Sequence, residues 1–455
     1  MQCQKCGKEI AADSKYCRFC GAPADANAPR SGSFGRKLIN AALITGIIAA
    51  SGIGFALVKT PHDYQKEAEL EAAQKKEKLN PVLNSPADIT DELISDIITN
   101  RLESLTINYE FAGCRFSIDE QNIFIIERRE EDAETYGISK LRSENKPDPY
   151  QNDRLARNPF WKANSRTPLK DIRFRIILTP QVTSLACAFE GLQELESVSI
   201  AVGPEIKDFT RTFRDAVKFN ASLADWDVSG AVTMRQMFRN AKAFNQPLNS
   251  WNTGNVRDMR SMFYQAESFN QPLDKWNTGK TELMSSMFYE AFSFNGAIGS
   301  WDTSNTRKTD QLFYRAKAFN QPIGNWNTSR VKDMNEMFTG AKSFNQPIGN
   351  WNTGNVMSMR GMFRGADSFN QPVGNWDVSS VYDMEYMFSH AKAFNQPLDK
   401  WAFRENVNMS NMFNGAESFN QPLSSWKIPK KAYISGIVRN AKSYTYPNPE
   451  DERSK

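Results

Sequence analysis

The dipeptide Phe-Asn returns at residues 219, 244, 269, 294, 319, 344, 369, 394 and 419, and Trp follows at 226, 251, 276, 301, 326, 351, 376, 401 and 426. Ala keeps the same 25-residue interval from 216 to 441, and no insertion breaks the frame. A fixed period in this range predicts a solenoid. One such unit is too short to bury its own apolar face, so like units must stack, and equivalent residues then form columns.

Within one unit, Val256, Met259, Met262, Phe263 and Ala266 follow helical spacing, which predicts a short amphipathic helix of about three turns. Gly254, or Ser at 229, 304, 329 and 379, stands before it as a cap. The Phe-Asn-Gln-Pro stretch reads as extended. Proline cannot donate to a strand ladder, which leaves room for a strand of Phe-Asn-Gln only. Trp and a polar turn of the Asn-Thr-Gly-Asn or Asp-Val-Ser-Ser kind lead into the next unit. The expected fold is therefore an α/β solenoid, each coil a short strand plus a short helix, over residues 181–445. Coils about 4.8 Å apart on the strand side would make a body on the order of 45 Å long.

The repeat columns are represented by Phe244, Asn245, Trp251, Met259, Phe263 and Ala266. Phe, Met and Ala read as core. Asn245 and its equivalents read as satisfying backbone amides that a short strand leaves unpaired, with a ligand-binding row as the alternative. The Trp column reads as a buried staple, with an aromatic sugar-binding strip as the alternative. Specificity is then left to positions that vary between coils. These are the pairs at 249–250, 274–275 and onward, and the residues Arg257, Glu282, Arg307, Lys332, Met357 and Tyr382.

The first twenty residues carry Cys3-x-x-Cys6 and Cys17-x-x-Cys20, each pair followed by a glycine, Gly7 and Gly21. Two such thiolate knuckles converge on one tetrahedral Zn2+ and would make it structural, since 22 residues build no core without a metal. A pair of disulfides is the other reading. Residues 23–37 read as linker. Leu38 to Val58 is 21 residues without a charge, the length of a bilayer-spanning helix. A cleaved signal peptide would have to contain the whole cysteine cluster, so an uncleaved single-pass anchor is expected. Thiolates need a reducing compartment, which puts the N-terminus in the cytoplasm and the solenoid outside, extracellular or periplasmic. Ala42, Gly46, Ala50 and Gly54 fall four apart. That spacing either lets two such helices pack closely or reflects ordinary membrane-helix composition.

Residues 59–84 include a charged stretch of helix formers, a solvated spacer. Residues 85–180 read as a small α+β unit. There a Ser85-x-x-Asp88 pattern precedes the apolar face of Leu93, Ile94, Ile97 and Ile98, and strands are expected in "TINYEFAGCRFSI", "NIFIIER" and "DIRFRIIL". Cys114 and Cys187, the cysteines outside the N-terminal cluster, would pair on an oxidising side or stay buried thiols on a reducing one. Residues 446–455 are a tail.

Composition limits the function classes. The formal net charge of +4 on 455 residues is too balanced for a nucleic-acid surface. Only 2 His are present, His62 and His390, and no Ser or Cys has a nucleophile's local partner pattern. No enzyme is expected.

Two resemblances enter here. Residues 3–21 resemble the short zinc-ribbon domain of bacterial membrane proteins. The pattern SxVxDMxxMFxxAxxFNQPLxxW, from residue 209 to about 440, resembles the repeat of the BspA-like leucine-rich-repeat bacterial surface proteins. That resemblance implies a leucine-rich-repeat-like solenoid at the cell surface, linked to adhesion or binding of a protein or glycan. The departure is that a zinc ribbon and an anchor helix stand where such proteins carry an export signal. The second function class consistent with this order is a transmembrane sensor, with the solenoid binding outside and the ribbon reporting inside.

Overall fold

The structure, a computed structural model, describes residues 61–85, 88, 90–108, 115–118, 124–127 and 169–453. Cys3, Cys6, Cys17 and Cys20, the linker, the apolar stretch 38–58 with Ala42, Gly46, Ala50 and Gly54, and Cys114 lie outside them. Among the described residues no helix is long and apolar enough to cross a membrane.

Helix α1, Pro61–Leu79, is exposed along residues 65–78. Its residues are strong helix formers without an apolar stripe, as a solvated spacer requires. Strand β1 (Val82–Leu83) leads to helix α2, Asp91–Ile98, which buries Leu93, Ile94 and Ile97. The cap of α2 is Thr90, whose hydroxyl accepts from the Leu93 amide at 3.1 Å, and not the expected Ser85 pattern. Asp88 instead closes a local turn by accepting from the amides of Asn84 and Ser85.

Strand β2 (Ser104–Ile107) follows, then the antiparallel pair β3 (Arg115–Ile118) and β4 (Phe124–Glu127). Strand β5 (Asp171–Leu178) spans the "DIRFRIIL" segment, and β6 (Ser197–Ile200) completes a parallel sheet in the order β1-β2-β5-β6. In β5 the side chains Ile172, Phe174 and Ile176 alternate into the core. The sheet leads into the coils without a gap: Asn220 donates its amide to the Glu196 carbonyl beside β6 at 3.4 Å. One core cluster runs from Leu83 to Ile437.

From residue 184 to 433, ten isolated parallel bridges join equivalent residues of consecutive coils, Asp258 to Leu283 and Leu283 to Lys308 among them. This confirms a solenoid and corrects the expected coil. Among the described residues of 181–445 there is no α-helix. The 256–266 segment is a run of overlapping turns. The amides of Met262, Tyr264 and Ala266 donate to the carbonyls three residues back, on Met259, Ser261 and Phe263. The alternate amides of Met259, Ser261, Phe263 and Gln265 donate to the next coil, on Leu283, Ser285, Met287 and Tyr289. With every second amide claimed by a neighbouring coil, the i→i−4 ladder of an α-helix cannot form. Ser261 and Gln265 have φ of 54° and 56°, which breaks the helical path every fourth residue.

The expected Phe-Asn-Gln strand is also absent. Phe269 donates its amide within its own coil to Ala266, and the Asn270 amide donates to the side-chain oxygen of Asn245, one coil back, at 2.9 Å. A side chain does there what a strand partner would do. The Gly and Ser expected as helix caps close Asx turns: the Gly254 amide donates to Asn252 Oδ1 at 3.1 Å, and the Ser304 amide to Asp302 Oδ1 at 2.9 Å.

The stack ends deliberately. Gly436 holds the position whose amide reaches forward in earlier coils, and it donates instead to Glu450 Oε2 at 2.9 Å. Glu450 lies on the short helix α3, Pro449–Arg453. Tyr444 extends the Phe column by stacking on Phe419 at 6.0 Å.

Candidate functional site

The coil interior holds the constant columns. Phe244, Met259, Phe263 and Ala266 are fully buried and Trp251 is nearly so, while Asn245 is half-buried. Phe263 stacks on Phe269 of its own coil at 4.0 Å between centroids, on Phe238 behind at 5.6 Å and on Phe288 ahead at 5.6 Å. Each Trp from 251 to 426 donates its indole N–H to a carbonyl of the preceding coil, over 2.8–3.2 Å. Each indole edge is thereby spent on packing. Asn245 accepts from both the Asn270 amide and the Gln271 side chain, at 2.9 and 3.1 Å. The Asn and Trp rows are thus committed to neighbouring coils.

Part of the expected variable surface is also structural. At Gly324 an added Cβ would stand 2.5 Å from the Pro347 carbonyl of the next coil, and Gly349 and Gly374 meet Pro372 and Pro397 in the same way. Glycine there lets one backbone approach the next. The other expected set does face solvent. Arg257, Arg307, Lys332, Met357 and Tyr382 are exposed, and half-buried Glu282 pairs with Arg257 and Arg307, each at 3.4 Å.

Beside this set lies the face of the inter-coil ladder. Its outward columns are chemically varied. Tyr264, Tyr289 and Tyr314 stack at 4.3 and 4.4 Å, with the Arg239 guanidinium 4.4 Å from the Tyr264 ring centre. Burial first, then the flanking Tyr264 and Tyr314, push the Tyr289 hydroxyl well above the ordinary phenol range. Arg315 pairs with Glu290 at 2.9 Å, and Arg360 pairs with Glu385. At the sheet end, buried Glu190 is bonded by Arg211, with Arg214 at 3.7 Å. Burial, then repulsion from Arg211, lowers the Arg214 guanidinium below its ordinary value. Burial raises the Asp333 carboxyl, whereas the Ser304 and Ser379 hydrogen bonds lower Asp302 and Asp377.

Sequence reasoning missed this face because it assigned the segment to a helix. A signal was present. The column of Asn240, Gln265, Gly340, Gly365, His390 and Gly415 mixes Gly with Asn, the mark of a left-handed backbone position. The tyrosines also share one column at the repeat interval. His390 is exposed on this face, and no group of three or more metal-ligating side chains exists among the described residues.

A stack of 25-residue coils with a constant interior and a varied exterior defines a solenoid repeat protein. The family described as "Mycoplasma protein of unknown function, DUF285" matches residues 183–298, 273–371 and 345–450, more than half of the chain, and the chain belongs to that family. A zinc-ribbon domain matches residues 2–24. No curated protein matches the chain. The four cysteines inside the ribbon match are an all-thiolate donor set, which fits a structural Zn2+.

Proposed function

We propose that this is a membrane-anchored, non-catalytic binding protein whose solenoid lies outside the cytoplasm and holds a protein or glycan at the cell surface. The carrying observation is the division of labour in each coil. Interior columns are nearly constant from coil to coil, while the ladder face changes from Tyr to Arg to Gly along its length. A surface that varies on a fixed frame supports recognition of an extended partner. The likeness of the repeat to BspA-like leucine-rich-repeat surface proteins supports the same reading. Residues 38–58 supply the anchor, and Cys3, Cys6, Cys17 and Cys20 hold Zn2+ on the cytoplasmic side.

A second reading, a transmembrane sensor, draws on the ribbon match at the opposite end of the chain from the coils. In it, the small-residue row of Ala42, Gly46, Ala50 and Gly54 pairs two anchors, and the ribbon reports binding. Deleting residues 1–30 separates the two: adhesion survives in the first reading, and a cytoplasmic response is lost in the second.

The deciding experiment is topology. Lys280 is exposed in the coils. A Lys280→Cys variant in intact cells should react with a membrane-impermeant maleimide, above the wild-type background. Reaction only after full lysis would end the surface-binding reading.

A further inference from the structure

Several exposed charges of the coils are compensated across one repeat interval. Lys242 meets Glu267 at 2.9 Å, Arg315 meets Glu290 at 2.9 Å and Lys442 meets Glu417 at 3.4 Å. Other exposed coil cations form no ion pair among the described residues, and two of these line one place. Lys342 and Arg364 are both exposed, and neither forms an ion pair among the described residues. The guanidinium of Arg364 lies 5.1 Å from the Tyr386 ring centre, which orients it without neutralising it.

The same place is hollow. Gly340 and Gly365 stand in consecutive coils at the column position that carries Gln265, Glu290 and Arg315 before them and His390 after them. Both have positive φ, 67° and 66°. An added Cβ at Gly365 would meet nothing nearer than the Gly340 backbone at 3.9 Å. The result is an open depression of about 390 Å³, walled by Tyr314, Thr339 and Arg315 on one side and by His390 and Lys392 on the other. Its charged lining is Arg315, Lys342, Arg364 and Lys392 against one carboxylate, Asp367, which Lys392 approaches at 3.7 Å.

We propose that this glycine notch binds an anionic sugar unit, sulfated or carboxylated, of a surface glycan. Lys342 and Arg364 take the anionic groups, since guanidinium and ammonium donors bond such oxygens strongly. Tyr314 offers a ring edge to the apolar side of the sugar. The open volume admits a sugar residue, and a larger chain runs on along the ladder face over the neighbouring coils. The site sits where two consecutive coils lack a side chain and four cations line the gap against a single carboxylate. This inference rests on the surface-binding reading and deepens it.

The test uses full-length protein in detergent micelles and a fluorescent heparin hexasaccharide, followed by anisotropy at low salt. The wild type binds, and Lys342→Ala with Arg364→Ala weakens binding about tenfold or more, as loss of charge-assisted contacts predicts. Gly365→Gln fills the notch without changing charge and weakens binding similarly. It should fold, because Gln265 already occupies this column at φ 56°. Removing the same charge from the last coil, Lys430→Ala with Lys431→Ala, leaves affinity unchanged. Equal losses in this control, or no loss in Gly365→Gln, overturn the proposal. So does displacement of the probe by an equal concentration of inorganic sulfate, which would mark a simple anion site. If the hexasaccharide does not bind while cells bearing the protein still adhere, the sugar inference falls and the surface-binding reading stands.

Discussion

Trp276 donates its indole N–H to the carbonyl of Leu248, 28 residues earlier and one coil back, at 2.9 Å. The same reach recurs in the coils around it, so one bond type fastens each coil to the one before. Trp276→Phe keeps an aromatic ring and removes the donor, leaving the Leu248 carbonyl with the Trp251 amide of its own coil but no bond from the next coil. We expect a loss of about 1–2 kcal/mol in urea unfolding. Trp276→Ala adds a cavity and should cost about 3–5 kcal/mol. Equal stability of the Phe variant and the wild type would show that the bond contributes nothing.

Asn320 performs a related task on the other edge, accepting from the Asn345 amide at 2.9 Å and the Gln346 side chain at 3.0 Å. Asn320→Leu should expose the Asn345 amide to hydrogen exchange and cost about 1–2 kcal/mol. Asn320→Asp retains an acceptor and should protect that amide far better. If both variants exchange alike, the side-chain ladder is not what holds this edge.

Two aspartates should respond to pH with opposite sign. Burial raises Asp333 in the folded state, so between its unfolded and folded pKa the native protein keeps a proton that the unfolded chain has lost. Stability falls as pH rises through that window, and the cost is present in full at neutral pH. Asp333→Asn should therefore melt higher than wild type at pH 7, with the gap closing near pH 3.9, about the unfolded value. Asp377 is lowered, mainly by its Ser379 hydrogen bond. Its contribution is present above the unfolded pKa and is lost as pH falls through the folded one. Asp377→Asn should melt slightly lower at pH 7, and that gap should also shrink in acid. Melting curves against pH check both signs.

Glu450 occupies the Gly436 amide that would otherwise await another coil. Glu450→Ala should fray the last coil first. The effect is read as faster exchange at the Asn411 and Gly415 amides, which bond forward to Ser435 and Arg439. Amides near Phe263 should be unaffected, because each coil contacts only its neighbours.

For the ribbon, full-length protein under reducing conditions should release zinc to a strong chelator and expose four further thiols to a thiol reagent. The melting of the coils should not change. Four thiols reactive before chelation would count against the metal assignment.

The buried columns were legible in the sequence, because Phe263, Trp276 and Ala266 each serve one environment repeated without a frame shift. The local backbone was not. Met259, Met262, Phe263 and Ala266 are three or four residues apart, and a run of three-residue turns places residues on one side much as a helix does. What distinguishes the two is the left-handed backbone at Ser261 and Gln265, and in that coil neither residue type advertises it. Only the Gly and Asn at the same columns elsewhere do so. The notch was illegible for a related reason. Gly340 and Gly365 fall in the segment whose spacing predicts a helix, and their meaning depends on Lys342 and Arg364 lying beside them across coils.

The ladder that joins the coils makes no use of where in the stack a coil lies. Asp258 bridges Leu283 as Asp333 bridges Ser358. Excising or duplicating one 25-residue segment in register would leave each remaining junction chemically familiar. Reach is therefore an adjustable quantity in this architecture: a lineage could lengthen or shorten the molecule by whole turns without inventing a new core.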